Sequence, residues 1–313
     1  MIVGLDIGFG YTKMVFSNGY NEHKLIFPST VSNYIPKESF GETPETVIVN
    51  GQEFIVGDRP SMGNRINVDN FLGSDEYLAF CAFCLSKIDG HKKVLVLGVP
   101  PEAYDKGITE QTIQKVKSMD AKTSDGRRIY PPPKIEFVPQ GVGIYFSYIM
   151  EVNGEDVEKT TVVMDVGYHT TDMVLFVDGK YKPTMARSFP IGVGTLYDSI
   201  RSQYVAKYQV YLPDNCDDII EGFLTEGKIT HYDTTHTLDV EPLLKNYIKK
   251  LQGALSKYSS LTRENNYRIE KIVVGGGGVT FLKNISGAHV VEDAQFANAF
   301  GYYRFGQRQA ENV

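Results

Sequence analysis

The sequence predicts an α/β protein built from two similar halves. Near the N-terminus, two apolar strands flank a glycine turn in IVGLDIGFGYTKMVF (residues 2–16), and the arrangement returns in TVVMDVGYHTTDMVLF (residues 161–176). When Asp6 is aligned with Asp165, five of eleven positions are identical, whereas typical residue frequencies give about one identity. A chain of 313 residues is also long enough for two domains, each with its own core.

Each repeat has the features of a hairpin that binds a phosphate group. Gly8 and Gly10 let backbone N–H groups approach a ligand closely. Successive N–H groups in such a turn form a concavity for anions, and Lys13 adds a positive charge beside it. If the two hairpins face each other, Asp6 and Asp165 provide carboxylates for a cation. The alternative is two ordinary hairpins, since glycine and aspartate are common in turns, but the matching register favours ligand binding.

Composition and charge narrow the class of protein. The hydrophobic content of 42% and the charged content of 22% are those of a globular protein, and no apolar run approaches the ~20 residues of a membrane helix. The N-terminus lacks the pattern of a secretory signal. A net charge of −6 argues against a general nucleic-acid surface but leaves room for a local basic patch.

The cysteines indicate a reducing compartment. There are three of them, which fits a cytoplasmic protein. Cys81 and Cys84 match C-x-x-C, but they lie in an apolar run without the context of a redox motif or a second pair for zinc. We therefore predict that both are core residues.

The remaining patterns place strands and helices around the two hairpins. Strands are predicted at residues 24–35, broken by Pro28, at residues 46–56, broken by Gly51, and at residues 93–99, 135–138, 269–274 and 290–291. Helices are predicted at residues 77–88, 110–116, 144–150, 217–224 and 241–258, from about residue 195, after the glycines at 275–278, and from residue 294 towards 304. Thr109 and Asp293 are the expected N-caps of two of these helices. Residues 58–70 show little periodicity and are predicted to form a surface excursion.

Three further segments carry candidate ligand-binding residues. Gln140 follows a strand and precedes a helix, where open α/β sheets bind ligands; its amide would orient a water molecule, or it is an ordinary solvated turn residue. Four glycines at 275–278 are costly in chain entropy, which favours contact with a flat ring or a ribose over an idle loop. Gly192 and Gly194 either present backbone to an anion at a helix N-terminus or form a tight helix entry.

This order of motifs resembles that of the actin-like ATPase superfamily, which includes actin, the chaperone ATPase domains and the sugar kinases. Its first phosphate loop, Asp-x-Gly-x-Gly-x-x-Lys, is matched by Asp6, Gly8, Gly10 and Lys13. Its connecting Gln or Glu is matched by Gln140, its second phosphate loop by Asp165, Gly167, Thr170, Thr171 and Asp172, its adenosine motif by residues 273–278, and its final small-residue helix by residues 294–301. The motifs span nearly the entire chain.

Within the superfamily, the chain is most similar to ParM-type bacterial and archaeal actin-like proteins, the plasmid-segregation filaments. The length, the ending QFANAFGYY at residues 295–303 and the lack of the extra C-terminal domain of chaperones carry this resemblance. Two features depart from the family pattern. Phe9 replaces a residue that is often a small hydroxyl residue, and Tyr168 and His169 stand where many members have a second glycine.

The resemblance implies a two-domain actin-like (ribonuclease H-like) fold with a nucleotide cleft between the domains. Domain I would comprise residues 1–141 and 292–313, and domain II residues 142–291. ATP or ADP would lie in the cleft, with Mg²⁺ held through waters by Asp6 and Asp165. The implied phosphate contacts are Lys13 and the backbone of Gly8, Phe9, Gly10, Tyr11, Gly167, Tyr168, His169 and Thr170. The implied adenosine contacts are Gly275, Gly276, Gly277 and Gly278, with Glu221 and Lys228 near the purine.

The implied catalytic residues are Gln140, which would position the attacking water, together with Asp6 and Asp165. The implied activity is ATP hydrolysis coupled to assembly of the chain into filaments, for plasmid or DNA segregation or another cytoskeletal role. The expected partners are further copies of the chain and a DNA-bound adaptor protein, without direct contact to nucleic acid or a membrane. Two alternatives stay open: a small-molecule kinase of the same fold with Asp172 as base, and a nucleotide-dependent scaffold that hydrolyses weakly.

Overall fold

The computed structural model describes most of the chain. The described residues are 1–17, 19, 21–33, 45–57, 64–65, 71–104, 107–212, 217–231, 234–282, 285 and 287–311, of which 64, 65, 218, 231 and 311 are described by their backbone only. Apart from a two-residue strand, the predicted excursion at residues 58–70 lies outside the described residues, as does Cys216.

The described elements combine several sheets with eight α-helices, which confirms the predicted α/β class. The strands are β1 (Ile2–Ile7), β2 (Tyr11–Ser17), β3 (Glu22–Pro28), β4 (Thr30–Ser32), β5 (Thr46–Val49), β6 (Gln52–Val56), β7 (Asn64–Arg65), β8 (Val94–Val99), β9 (Ala121–Thr123), β10 (Arg128–Ile129), β11 (Lys134–Pro139), β12 (Thr161–Val166), β13 (Thr171–Val177), β14 (Lys180–Tyr181), β15 (Arg187–Phe189), β16 (Lys228–His231), β17 (Thr234–Thr237), β18 (Lys271–Gly275) and β19 (His289–Val290). The helices are α1 (Asp75–Ser86), α2 (Pro101–Tyr104), α3 (Ile108–Ser118), α4 (Val142–Glu151), α5 (Val193–Tyr208), α6 (Asp217–Glu226), α7 (Glu241–Glu264) and α8 (Ala297–Glu311), with 3₁₀ helices at Pro183–Met185 and Gly277–Phe281.

The first hairpin is part of a sheet with the order β11-β8-β1-β2-β3, in which β1, β8 and β11 are parallel. Alternation along β1 explains what covers each face. Val3 and Leu5 point into a core shared with α1 and the second sheet, β10-β9-β5-β6-β4-β7. Gly4 faces the other way, where a Cβ would overlap the Ala299 carbonyl of α8. The absence of a side chain there lets α8 pack directly on the strand.

The second hairpin is part of a matching sheet with the order β14-β13-β12-β18-β19, and β15 also pairs with β13. The repeat inferred from the sequence holds in the register, since Asp6 pairs with Lys13 in the first hairpin and Asp165 with Asp172 in the second. In both sheets, the aspartate strand is also paired in parallel with a later buried strand.

Helix α4 joins the two sheets. Its buried residue Ile144 belongs to an apolar cluster that includes Val96 of β8, Val163 of β12 and Val273 of β18. Helix α8 packs against α4 at the same junction, where the Ser147 hydroxyl donates to the Ala297 carbonyl at 2.7 Å. The sheets are therefore held in a defined relation by two packed helices.

Several predicted boundaries were wrong. Helix α3 begins at Ile108 behind Gly107, whose left-handed φ of 69° makes it the N-cap in place of Thr109. Asp293 has φ 47° and lies in a turn, and α8 begins only at Ala297. The glycine run leads into a 3₁₀ helix rather than an α-helix. By contrast, the breaks predicted at Pro28 and Gly51 are confirmed, since β3 ends at Pro28 and the turn between β5 and β6 contains Gly51.

The core prediction for the two cysteines of α1 is confirmed. Cys81 and Cys84 are both fully buried, and burial raises the pKa of each thiol well above its usual range. Neither thiol therefore has the thiolate character that redox or metal chemistry needs. Among the helices described, none combines the length and apolar character that crossing a membrane requires.

Candidate functional site

Both aspartate–glycine hairpins line one cavity of about 960 Å³, here called the main cavity. Asp6 is the penultimate residue of β1, shortly before the first glycine loop, and Asp165 is the penultimate residue of β12. Gln140 follows the end of β11 and also lines the main cavity. The carboxyl ends of β1, β11 and β12 therefore border the same cavity, as expected for a ligand site in an α/β protein.

In the first hairpin, a buried ion pair lies at the bottom of the main cavity. The Lys13 Nζ is 3.3 Å from the Asp6 Oδ2, and the two residues are only 7% and 4% exposed. The other carboxylate oxygen, Asp6 Oδ1, is buried without a hydrogen-bond partner among the described residues. An unmatched buried carboxylate oxygen is costly, so this atom is ready to interact with a cation or a water molecule.

Asp165 is held by a residue of α8. The Asn298 Nδ2 donates to the Asp165 Oδ2 at 2.6 Å, while the Asn298 Oδ1 accepts from the Gly141 N–H at 3.2 Å. Burial, followed by the negative charges of Asp6 and Asp172, raises the pKa of Asp165 to about 7. The site therefore contains more negative charge than its own cations neutralise.

The second phosphate loop is supported from behind by the entry of α5. The Val193 N–H donates to the Gly167 carbonyl at 3.0 Å, and the Gly194 N–H donates to the Tyr168 carbonyl at 2.8 Å. At Gly192 a Cβ would overlap the Tyr168 carbonyl. These first N–H groups of the helix are already used, so the structure favours a tight helix entry over an anion site at this N-terminus.

Bulky side chains bring the two phosphate loops into contact. The rings of Phe9 and His169 meet edge to face with centroids 5.1 Å apart. A Cβ at Gly10 would lie 3.1 Å from the ring of Tyr168. Among the residues that depart from the family pattern, Phe9 and His169 thus contact each other, and Tyr168 packs next to Gly10 of the opposite loop.

Packing accounts for most of the glycine run after β18. A Cβ at Gly275 would lie 2.9 Å from the Ile144 side chain, and this glycine does not line the main cavity. Gly276, with φ 95°, packs on Asp165, and Gly278 packs on Val166. Only a Cβ at Gly277 would have nothing described within 4 Å. Gly276, Gly277 and Gly278 line the main cavity, so their predicted contact with the adenosine remains a prediction.

A third buried carboxylate, that of Asp172, lines the main cavity, as does Gln140. Asp172 is 5% exposed, and its Oδ1 has no partner among the described residues. Burial raises the pKa of Asp172 to about 6, opposed by a hydrogen bond from Ser188 and assisted by the charge of Glu102. The backbone N–H of Gln140 donates to the Val99 carbonyl at 2.8 Å, which fixes the residue between strand and helix.

Glu221 connects elements from both halves of the main cavity. Its Oε1 accepts from the Tyr197 hydroxyl of α5 at 2.8 Å and from the Tyr11 hydroxyl of the first hairpin at 3.4 Å. Lys228, which the resemblance placed near the purine, is exposed and does not line the main cavity.

The sequence interpretation missed the roles of three residues at this site. No role was predicted for Asn298, which lies in the ending at residues 295–303, or for Ser188 and Glu102. For Asn298, the sequence did hold a signal of a role in the site, namely a polar side chain among the small residues of the predicted final helix. Nothing local marked Ser188 or Glu102, because they reach Asp172 only through strand pairing and tertiary packing.

Two family models match the chain. Residues 4–143 match the family described as actin like proteins N terminal domain, and residues 163–286 match archaeal actin homologue MreB-like, C-terminal. Archaeal actin homologs of Thermoplasma volcanium and Thermoplasma acidophilum are each 27% identical to the chain, over 98% of this chain and 99% of theirs.

Solved structures show the same likeness. A crystal structure of an archaeal actin homolog superposes with a TM-score of 0.78 at 22% identity, and its complex with ADP gives 0.78 at 21%. A 15-stranded ParM filament from Clostridium botulinum gives 0.75 at 23%. Each alignment covers 98% of this chain and 99% of the other. The predicted two-domain actin-like fold is confirmed, while the domain boundaries at 141/142 and 291/292 remain predictions.

Proposed function

The chain belongs to the actin-like proteins, and from this premise we propose that it binds ATP with Mg²⁺ in the main cavity, assembles into filaments and hydrolyses ATP. The observation that carries the proposal is that both aspartate–glycine hairpins open on one cavity, with a buried and unmatched carboxylate oxygen at its base. Its volume of about 960 Å³ lies within the range of small-molecule sites.

The donor set fits Mg²⁺. Asp6 Oδ1 lacks a partner among the described residues, and the pKa of Asp165 is raised by burial and then by the charges of Asp6 and Asp172, both of which a bound cation would offset. No group of three or more carboxylate, histidine or cysteine ligands occurs in the described part of the chain. Two carboxylates that act largely through waters suit Mg²⁺, which gives up its hydration reluctantly. When bound, the ion would neutralise phosphate charge during phosphoryl transfer.

The chain's own residues would bind the phosphates, accommodate the adenosine and position the attacking water. Lys13 and the backbone N–H groups of the two loops would bind the phosphates, Gly277 would leave room for the adenosine, and Gln140 would position the attacking water. The Gln140 side chain lines the cavity and has no hydrogen-bond partner among the described residues. It is therefore available to a water molecule, and phosphoryl transfer needs little beyond positioning and charge stabilisation.

Filament assembly is proposed from the relatives. A solved structure of a relative is itself a ParM filament, and an archaeal actin homolog was solved with ADP. We extend both properties to this chain, with further copies of it as the partner. Plasmid or DNA segregation through a DNA-bound adaptor, or another cytoskeletal role in the cytoplasm, completes the proposal.

Sedimentation and phosphate release test the proposal together. Purified chain should pellet with ATP and Mg²⁺ and stay in the supernatant without nucleotide. Gln140→Ala should bind a fluorescent ATP analogue normally but release phosphate at least about tenfold more slowly, so its filaments should persist longer. Gln114→Ala, an exposed glutamine of α3, is the matched control and should behave as wild type. A chain that binds no ATP, or stays monomeric at high concentration with ATP and Mg²⁺, would refute the proposal.

One observation favours a second candidate, a small-molecule kinase. Asp172 places a buried carboxylate oxygen without a described partner in the main cavity, and with a pKa of about 6 it could accept a proton from an acceptor hydroxyl. A kinase should show ATP turnover that increases when sugars or polyols are added, and that increase should be lost in Asp172→Asn. Turnover that is unaffected by every acceptor tested would eliminate this candidate.

A further inference from the structure

A second cleft, of about 630 Å³, lies at the opposite ends of strands β8 and β11 from the main cavity. It is lined by the end of α1, the loop that leads into β8, and β10 with the residues that follow it, namely residues 85, 86, 88–92 and 127–131. Strands β8 and β11 run in parallel, with their carboxyl ends at the main cavity, so their amino ends face this cleft. We call it the basic cleft.

The basic cleft is positively charged on a chain whose net charge is −6. Its lining holds three basic residues other than histidine and one acid, namely Lys92, Arg127, Arg128 and Asp89. Arg127 is already ion-paired with Asp89. Its guanidinium donates to the Asp89 Oδ1 at 3.1 Å and to the Ser86 carbonyl at 3.0 Å.

Two of these cations are left without a described ion-pair partner. No ion pair of Lys92 or Arg128 occurs among the described residues, and Arg128 is paired across the strands with another cation, Lys122. Burial and the charge of Arg127 lower the pKa of Lys92. Asp89 lines the cleft as its one described acid and is already paired with Arg127, so Lys92 and Arg128 have no described ion pair of their own, which favours an anionic group from outside.

The floor of the basic cleft is apolar. Leu85, Ile88 and Ile129 are buried at its base. Tyr130 stands beside them with 68% of its surface exposed, an unusual fraction for a large aromatic residue. Tyrosine and arginine are the residues enriched at the centres of protein interfaces. A concave apolar floor with a cationic rim matches a ligand that carries both apolar groups and negative charge.

We propose that the basic cleft is a docking site for an acidic peptide segment of a partner protein, in which carboxylate side chains alternate with apolar ones. The carboxylates would pair with Lys92 and Arg128, and the apolar side chains would pack on Ile129 and Tyr130. A nucleic acid would use the cations but not the apolar floor. Since the site lies away from the main cavity, docking does not depend on bound nucleotide or on the function proposed above.

Fluorescence anisotropy with the full chain at low salt tests this assignment. The probe is a short fluorescein-labelled peptide that alternates glutamate with leucine or phenylalanine. Saturable binding is expected, weakened at least about tenfold by Lys92→Glu with Arg128→Glu and by a similar factor by Tyr130→Ala. The matched control, Lys249→Glu with Lys250→Glu, makes the same charge change on the exposed face of α7 and should alter affinity no more than about twofold.

Competing probes make the result decisive. A peptide with serine in place of its apolar residues should bind more weakly, and a duplex DNA should compete poorly. Only variants with a wild-type unfolding midpoint are compared, and Tyr130→Ala alters a side chain that contributes little to the core. No saturable binding, equal weakening in the control variant, or tighter binding of the duplex DNA would each overturn the proposal.

Discussion

The hydrogen bonds of Asn298 provide the sharpest test of how the main cavity is built. In Asn298→Ala, Asp165 loses a buried donor at 2.6 Å and the Gly141 N–H loses its acceptor at 3.2 Å. A hydrogen bond to a charged group contributes about 1.5–3 kcal/mol, and an unmatched buried backbone group costs about 1–3 kcal/mol. Water from the adjoining cavity would recover part of this loss, so we expect the free energy of unfolding to fall by about 2–3 kcal/mol at pH 8.

Urea denaturation of nucleotide-free protein measures this difference. The loss should shrink at pH 5.5, because Asp165, whose pKa is about 7, is then protonated in wild type and needs the donor less. Gln295→Ala, which removes another cavity-lining amide with no described hydrogen bond, should cost no more than about 0.5 kcal/mol. A loss below about 0.5 kcal/mol for Asn298→Ala at pH 8 would show that this side chain does not position the carboxylate.

Three further outcomes follow from the same geometry. Gly276→Ala places a Cβ at φ 95° and 2.6 Å from the Val166 carbonyl, so it should lower the free energy of unfolding by about 1–3 kcal/mol. Gly277→Ala, which has open space at its Cβ, should lower it by less than about 1 kcal/mol. Equal melting temperatures of the two variants would contradict this. The pKa values of Asp165 and Asp172, about 7 and about 6, exceed the value of about 3.9 in the unfolded chain. The folded state therefore binds more protons than the unfolded state between pH ~4 and ~7. As a result, the free energy of unfolding of the nucleotide-free protein should fall as the pH rises through that window. Asp172→Asn should flatten this slope in urea titrations at several pH values, and an unchanged slope would mean that another group causes it. Excess ATP and Mg²⁺ should raise the wild-type melting temperature, and Asp165→Asn should remove that increase while leaving the nucleotide-free protein folded.

The elements predicted from strong periodicity were confirmed, and those predicted from single residues often failed. The strand at residues 93–99 was found as β8, because a continuous apolar run is typical of a strand buried on both faces. The cap at Thr109 was wrong, because Gly107 adopts a left-handed φ and the helix begins two residues earlier than predicted. The hairpin of β16 and β17 was missed, since its alternating threonines and histidines carry no apolar pattern.

At the site, prediction succeeded where the chemistry is local. Asp6, Gly8, Gly10 and Lys13 lie within eight residues, and their spacing alone places them around one turn. The ring contact between Phe9 and His169 could not be predicted, because it depends on how closely the two hairpins approach.

The sequence by itself determined the two hairpins, their shared register and the identity of their acids, because strand alternation and turn chemistry act between near neighbours. The tertiary structure alone decided which buried carboxylate oxygens stay unmatched, that Asn298 of α8 donates to Asp165, and that Gly275 serves packing rather than the cavity. These outcomes depend on the relative placement of sheets and helices far apart in the chain, which is set by the packing of α4 and α8 between them.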